Sequence, residues 1–141
     1  MQNRYTGDIG DFGKYAMLKA LVGDDLRLGV AWYLNPDEEG NTDGGFVAYP
    51  RLEECDPQLH DSLSDLVARG DRRVAAVEAA APLPEQTIFH SAPLTFRDLA
   101  TFATAARRER SYCWRRDALA TTANADVVFM DPDNGLEDGR R

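Results

Sequence analysis

The stretch Ala125-Asp126-Val127-Val128-Phe129-Met130 runs straight into Asp131-Pro132-Asp133-Asn134-Gly135, and no other feature constrains the fold as strongly. An apolar run of this length, bounded by turn residues, reads as a buried strand of a parallel sheet. Pro132 has no amide hydrogen, so the ladder must stop there. Ligands of parallel α/β sheets bind outside the carboxyl ends of the strands. The polar cluster therefore falls where such folds do their chemistry. A tight turn alone requires fewer polar groups than the two carboxylates and one carboxamide of Asp131, Asp133 and Asn134.

The 141 residues, 43% of them hydrophobic, suffice for one α/β domain with a real core. No apolar run approaches the roughly 20 residues of a membrane span, and no charged-then-apolar leader opens the chain. The expectation is a cytoplasmic protein without a membrane contact. Cys55 and Cys113 lack the spacing of a disulfide framework or a zinc site. A doubly wound sheet would normally continue beyond the Asp131 cluster, so residues 1–141 are expected to form a single α/β domain shortened at its carboxyl end.

A net charge of −8 argues against a polyanionic partner, but the charge is unevenly spread. Nine arginines lie between positions 69 and 116, with Arg107-Arg108-Glu109-Arg110 and Arg115-Arg116 interleaved by Tyr112 and Trp114. Such a stretch is either a solvated helix face or a basic patch for nucleic acid.

Phe12, Tyr15, Leu18 and Leu21 take helical spacing behind Asp11, whose carboxylate is placed to cap that helix. Residues 27–34 have the aromatic and β-branched content of a strand, and 35–45 follow as a loop. Asp56-Pro57 should open a helix carrying Leu59, Leu63, Leu66 and Val67, with a second helix over 72–81. Residues 87–90 form a short strand, and the segment to Asn124 reads as mainly helical with a break near Arg110-Ser111. The pattern is that of an α/β sandwich.

Three groups carry candidate chemistry. Asp8, Asp11 and Lys14 are spaced three apart and share one face if that segment is helical; the lysine can hold an anionic ligand group or pair with its neighbours. The 35–45 loop brings Asp43 and Gly44 to a strand's carboxyl end, where acids accept from ribose hydroxyls and glycines let a backbone approach a ligand. Asp131 can accept from an amino group, take a proton or bind a hard cation, and Asn134 suits a planar base edge. His60 and His90 carry no comparable signal.

The opening Asn3-Arg4-Tyr5-Thr6-Gly7-Asp8-Ile9-Gly10-Asp11-Phe12-Gly13-Lys14-Tyr15, together with Asp131-Pro132-Asp133-Asn134-Gly135, resembles a family of uncharacterised bacterial proteins along nearly the whole chain. It also distantly resembles the bacterial enzymes that methylate adenine N6 in large-subunit ribosomal RNA. Asp131-Pro132 matches the start of their Asp-Pro-Pro-aromatic motif, with Asp133 and Asn134 standing where they carry the second proline and the base-stacking aromatic. The resemblance implies a three-layer Rossmann-like, methyltransferase-type sheet. It also implies an S-adenosylmethionine site at Lys14, Asp43 and Gly44, with Asp131, Asp133 and Asn134 engaging the amine of a nucleic acid or nucleotide-like substrate. Two alternatives stand beside it. One is a magnesium-dependent hydrolase or nuclease using Asp8, Asp11, Asp131 and Asp133. The other is a non-enzymatic accessory that binds nucleic acid or protein through its arginines.

Overall fold

A four-residue strand organises the molecule. In the computed structural model, which describes residues 1–37, 40 and 43–132, β1 (Leu28–Ala31) lies at the centre of an open, all-parallel sheet. On one side it pairs with β2 (Ile88–His90), Gly29 opposite Ile88, and on the other with β3 (Val127–Met130), Leu28 opposite Val127. The order β2-β1-β3 means that the chain leaves β1 towards one edge and later crosses to the other. The switch point, where the connections diverge and an open α/β sheet forms its crevice, is therefore between β1 and β3.

Successive side chains of a strand point to opposite faces, and each face of β1 meets its own helices. Leu28, Val30 and, just beyond the strand, Trp32 join the core formed by α1 (Ile9–Val22), α2 (Pro57–Ala68) and α3 (Val74–Ala80). Phe12, Tyr15, Leu18 and Val22 are the buried side of α1, and Leu59, Leu63 and Leu66 that of α2. Ala31 faces the other way, onto Trp114 and Ala118 of α4 (Thr104–Thr121). Gly29 shares that face, and a Cβ there would stand 2.9 Å from Ala125 Cβ and 3.0 Å from Thr122 Cβ, so the close approach of this layer requires glycine.

Several expectations are corrected. Asp8, not Asp11, caps α1, accepting from the Asp11 amide at 2.9 Å; Asp11 is instead fully buried in the first turn. The α4 helix runs unbroken through Arg110 and Ser111, because neither residue obliges the backbone to leave helical angles. β3 is an edge strand with Val128 41% exposed, since it has β1 as its one neighbour among the described residues. β1 ends earlier than expected because Tyr33 adopts φ 45°, although Leu34 still bridges Pro93. Asp56 and Pro57 open α2 as expected, the Asp56 carboxylate accepting from the Leu59 amide at 3.0 Å. Among the described residues no helix is long and apolar enough to cross a membrane.

Candidate functional site

The switch-point crevice is closed from above by the start of the chain. The Met1 nitrogen donates to the carbonyls of Tyr33, just after β1, and Asp131, just after β3, each at 3.1 Å. Tyr49 donates its hydroxyl to the Gly7 carbonyl at 3.1 Å, and the Ile9 amide donates to Phe46 O at 2.9 Å. Arg72 is the main clamp. Its guanidinium donates to the carbonyls of Arg4, Thr6 (2.8 Å) and Gly44 (2.6 Å), tying the opening segment to the loop after β1.

This packing brings α1 beside the end of β3. Lys14 Nζ lies 2.8 Å from Asp11 Oδ1 and 3.1 Å from Asp131 Oδ2, joining two segments 117 residues apart. A cavity of about 190 Å³ opens there, lined by Met1, Tyr5, Asp8, Gly10, Lys14, Asp131 and Pro132. Two larger hollows, of about 590 and 440 Å³, lie between α2 and α3 and at the amino ends of the strands; neither is lined by Lys14 or Asp131.

The electrostatics follow from burial. Desolvation pushes the Asp11 carboxyl above its ordinary range, against the pull of Lys14 and the Gly7 amide, which donates to Asp11 Oδ2 at 3.2 Å. Burial draws the Lys14 ammonium down, but the carboxylates of Asp11 and Asp131 outweigh it and hold the charge above its usual pKa. The Tyr15 hydroxyl is pushed well up, first by burial and then by Asp11. Asp11 Oδ1 is in ionic contact with Lys14 Nζ, and among the described residues neither it nor the Tyr15 hydroxyl meets strict hydrogen-bond geometry with a partner. Tyr49, also raised first by burial, reaches about 12.

Of the residues nominated from sequence, Asp8, Asp11, Lys14 and Asp131 come together. Gly44 does not line the cavity; it backs the Tyr5 ring, with φ +78° and space for no Cβ, which would meet Arg4 O at 2.6 Å. Asp43 is exposed beside it. Asp133 and Asn134 lie outside the described residues. Among the described residues no three His, Cys, Asp or Glu side chains converge as a metal set. Asp8 is occupied as a helix cap, and the Lys14 ammonium stands at the point between Asp11 and Asp131 where a cation would sit. His90, buried, stands edge-to-face with Trp114, and the partly buried His60 stands edge-to-face with Tyr49.

Tyr5 is the residue that sequence reasoning passed over. It lines the cavity together with Asp131 and Pro132. The available signal was its place in an opening rich in glycine and aspartate. Comparison of the chain with family models, curated proteins and solved structures finds no match.

Proposed function

We propose that the chain is an S-adenosylmethionine-dependent methyltransferase of Rossmann-like fold, acting on the amino group of a nucleotide-like or nucleic-acid substrate. The observation that carries the reading is Asp131. It leaves the edge strand at the switch point, its Oδ2 is fixed by Lys14, and it shares a cavity with an aromatic ring. Parallel α/β sheets bind nucleotide-like cofactors at this crevice. The residue types suit the cofactor: Lys14 would offer a partly buried cation to its carboxylate, and Asp8 and Asp131 would offer acids to its sulfonium charge.

The bound cofactor supplies an electrophilic methyl. The chain's own residues supply position. Tyr5 offers a face for a planar base, in place of the aromatic missing after Pro132. Asp131, oriented through Oδ2, would accept an N–H of the amine at Oδ1, leaving the nitrogen lone pair directed away from the carboxylate. With the cofactor bound, Asp131 would take up the proton that the amine gives up on methylation.

The test is calorimetric titration with S-adenosylmethionine, followed by transfer of labelled methyl to single-stranded RNA. Binding is expected in the parent and in Asp131→Asn, with transfer lost in the variant by about 100-fold or more. No binding at millimolar cofactor overturns the proposal. A magnesium-dependent thermal stabilisation abolished by Asp131→Asn would replace it with the hydrolase reading.

A further inference from the structure

The arginine-rich helix divides into two sets. Arg107 lies over the Phe96 ring at 4.5 Å, Arg110 forks onto Asp98 (2.8 Å from Nη2) and the Thr95 carbonyl (2.8 Å), and Arg116 pairs with Asp117 at 3.0 Å. Trp114, expected to interleave the basic run, is buried, with its indole donating to Ala92 O at 2.7 Å. What is left on the solvent side is Arg108, Tyr112 and Arg115, spaced four and three apart and so aligned on one stripe. Tyr112 is 58% exposed, and among the described residues neither Arg108 nor Arg115 has a partner.

An ordinary solvated helix face in so acidic a chain would pair its cations at i±3 or i±4. Here those positions are Thr104, Ala105, Ser111 and Tyr112 for Arg108, and Ser111, Tyr112, Ala118 and Leu119 for Arg115. No acid is among them. The two guanidiniums stand about 10 Å apart along the helix, one on each side of the ring. Cations flanking an exposed aromatic match a phosphodiester strand, whose phosphates take the charge while a base stacks. The stripe also begins at the functional end of the sheet: Arg110 reaches the segment after β2, and Trp114 meets the Tyr33 ring at 4.1 Å, just after β1.

We infer that this face of α4 binds single-stranded nucleic acid, with Arg108 and Arg115 on phosphates and Tyr112 stacked on a base. The inference does not depend on methyl transfer and holds equally for a binding module.

The test is fluorescence anisotropy of the full chain with a labelled single-stranded RNA of about 12 nucleotides, titrated across about 50 to 200 mM salt. Arg108→Gln with Arg115→Gln should weaken binding at least about tenfold and make the slope of log K against log salt shallower by about 1.4. Tyr112→Leu should cost about tenfold on RNA while leaving heparin binding unchanged. Arg51→Gln, an exposed arginine on the opposite layer, should bind as the parent does, and all variants should melt as the parent does. Parent-like binding by the double arginine variant overturns the inference. So does an equal loss on RNA and heparin for Tyr112→Leu, or no RNA binding by the parent at low salt.

Discussion

Replacing Lys14 by Met tests the electrostatic core of the site. The variant keeps the volume of the side chain but leaves Asp11, 0% exposed, without its cation. Removing one member of a buried pair costs about 3–5 kcal/mol, and because the Lys14 side chain is 29% exposed the lower end applies. For a chain of this size 1 kcal/mol moves the melting midpoint by roughly 3–4 °C, so about 3 kcal/mol should lower it by roughly 10 °C near neutral pH. The loss must depend on pH. Burial already raises the folded-state pKa of Asp11, and loss of Lys14 raises it further. A group with a raised folded pKa contributes stability that is fully present below its unfolded pKa and is lost as pH rises through the folded value. The variant should therefore approach the parent as pH falls, by at most about 1.4 kcal/mol per pH unit, so that its deficit is smaller at about pH 5 than at about pH 7. Thermal melts followed by circular dichroism, parent and variant in matched buffers, measure this directly. Asp11→Asn added to Lys14→Met should restore stability at neutral pH, since the amide can still accept from the Gly7 N–H. A deficit equal at both pH values and unrelieved by Asp11→Asn would refute the reasoning.

Two further substitutions probe the scaffold. Gly44→Ala places a Cβ against the Arg4 carbonyl at a φ of +78° and should cost about 2 kcal/mol or more, seen as a lower urea midpoint with an unchanged slope. Asp56→Ala removes the α2 cap and the 2.5 Å contact to Lys19, for about 1–2 kcal/mol near neutral pH. Burial pulls the Asp56 pKa up, but the Lys19 hydrogen bond and the Leu59 amide hold it below normal. That stability is present above the unfolded carboxylate pKa and lost as pH falls through the depressed value, so parent and variant should converge in acid-stability curves.

The parts of the fold legible in the sequence are those set by local chemistry. Asp56-Pro57 announces a helix because capping and a fixed φ act within one turn, and Val127 to Met130 announces a strand because its apolar run is followed closely by Pro132, which cannot donate. Asp8 and Asp11 were harder to separate, since both are acids near a helix start and only the fold decides which one is drawn into the core. The exposure of β3 was not legible either: an apolar strand looks the same whether one or two neighbours flank it. Tyr5 entered the cavity through Arg72 and Gly44, contacts that span 68 and 28 residues and leave no local pattern. The basic run was visible at once, yet its division into structural and free arginines depended on Phe96, Asp98 and Asp117 being in reach.

Asp11 is the residue whose presence most requires explanation. Capping of α1 is already provided by Asp8, so a second carboxylate in the first turn is not needed to start the helix. Burying it is unfavourable, as its raised pKa records. Asp11 accepts from the Gly7 amide and places the Lys14 ammonium, and Lys14 holds Asp131 Oδ2 at the end of β3. An ordinary surface lysine would leave Asp131 free to turn. Here the buried acid restrains the cation, and the cation restrains the acid that faces the cavity. A chain that needed only an acceptor for the Gly7 amide could carry a neutral Asn at position 11 and an apolar residue at position 14. The charged pair holds a carboxylate in one orientation at the crevice of a parallel sheet, which is what the proposed role of Asp131 in positioning an amine requires.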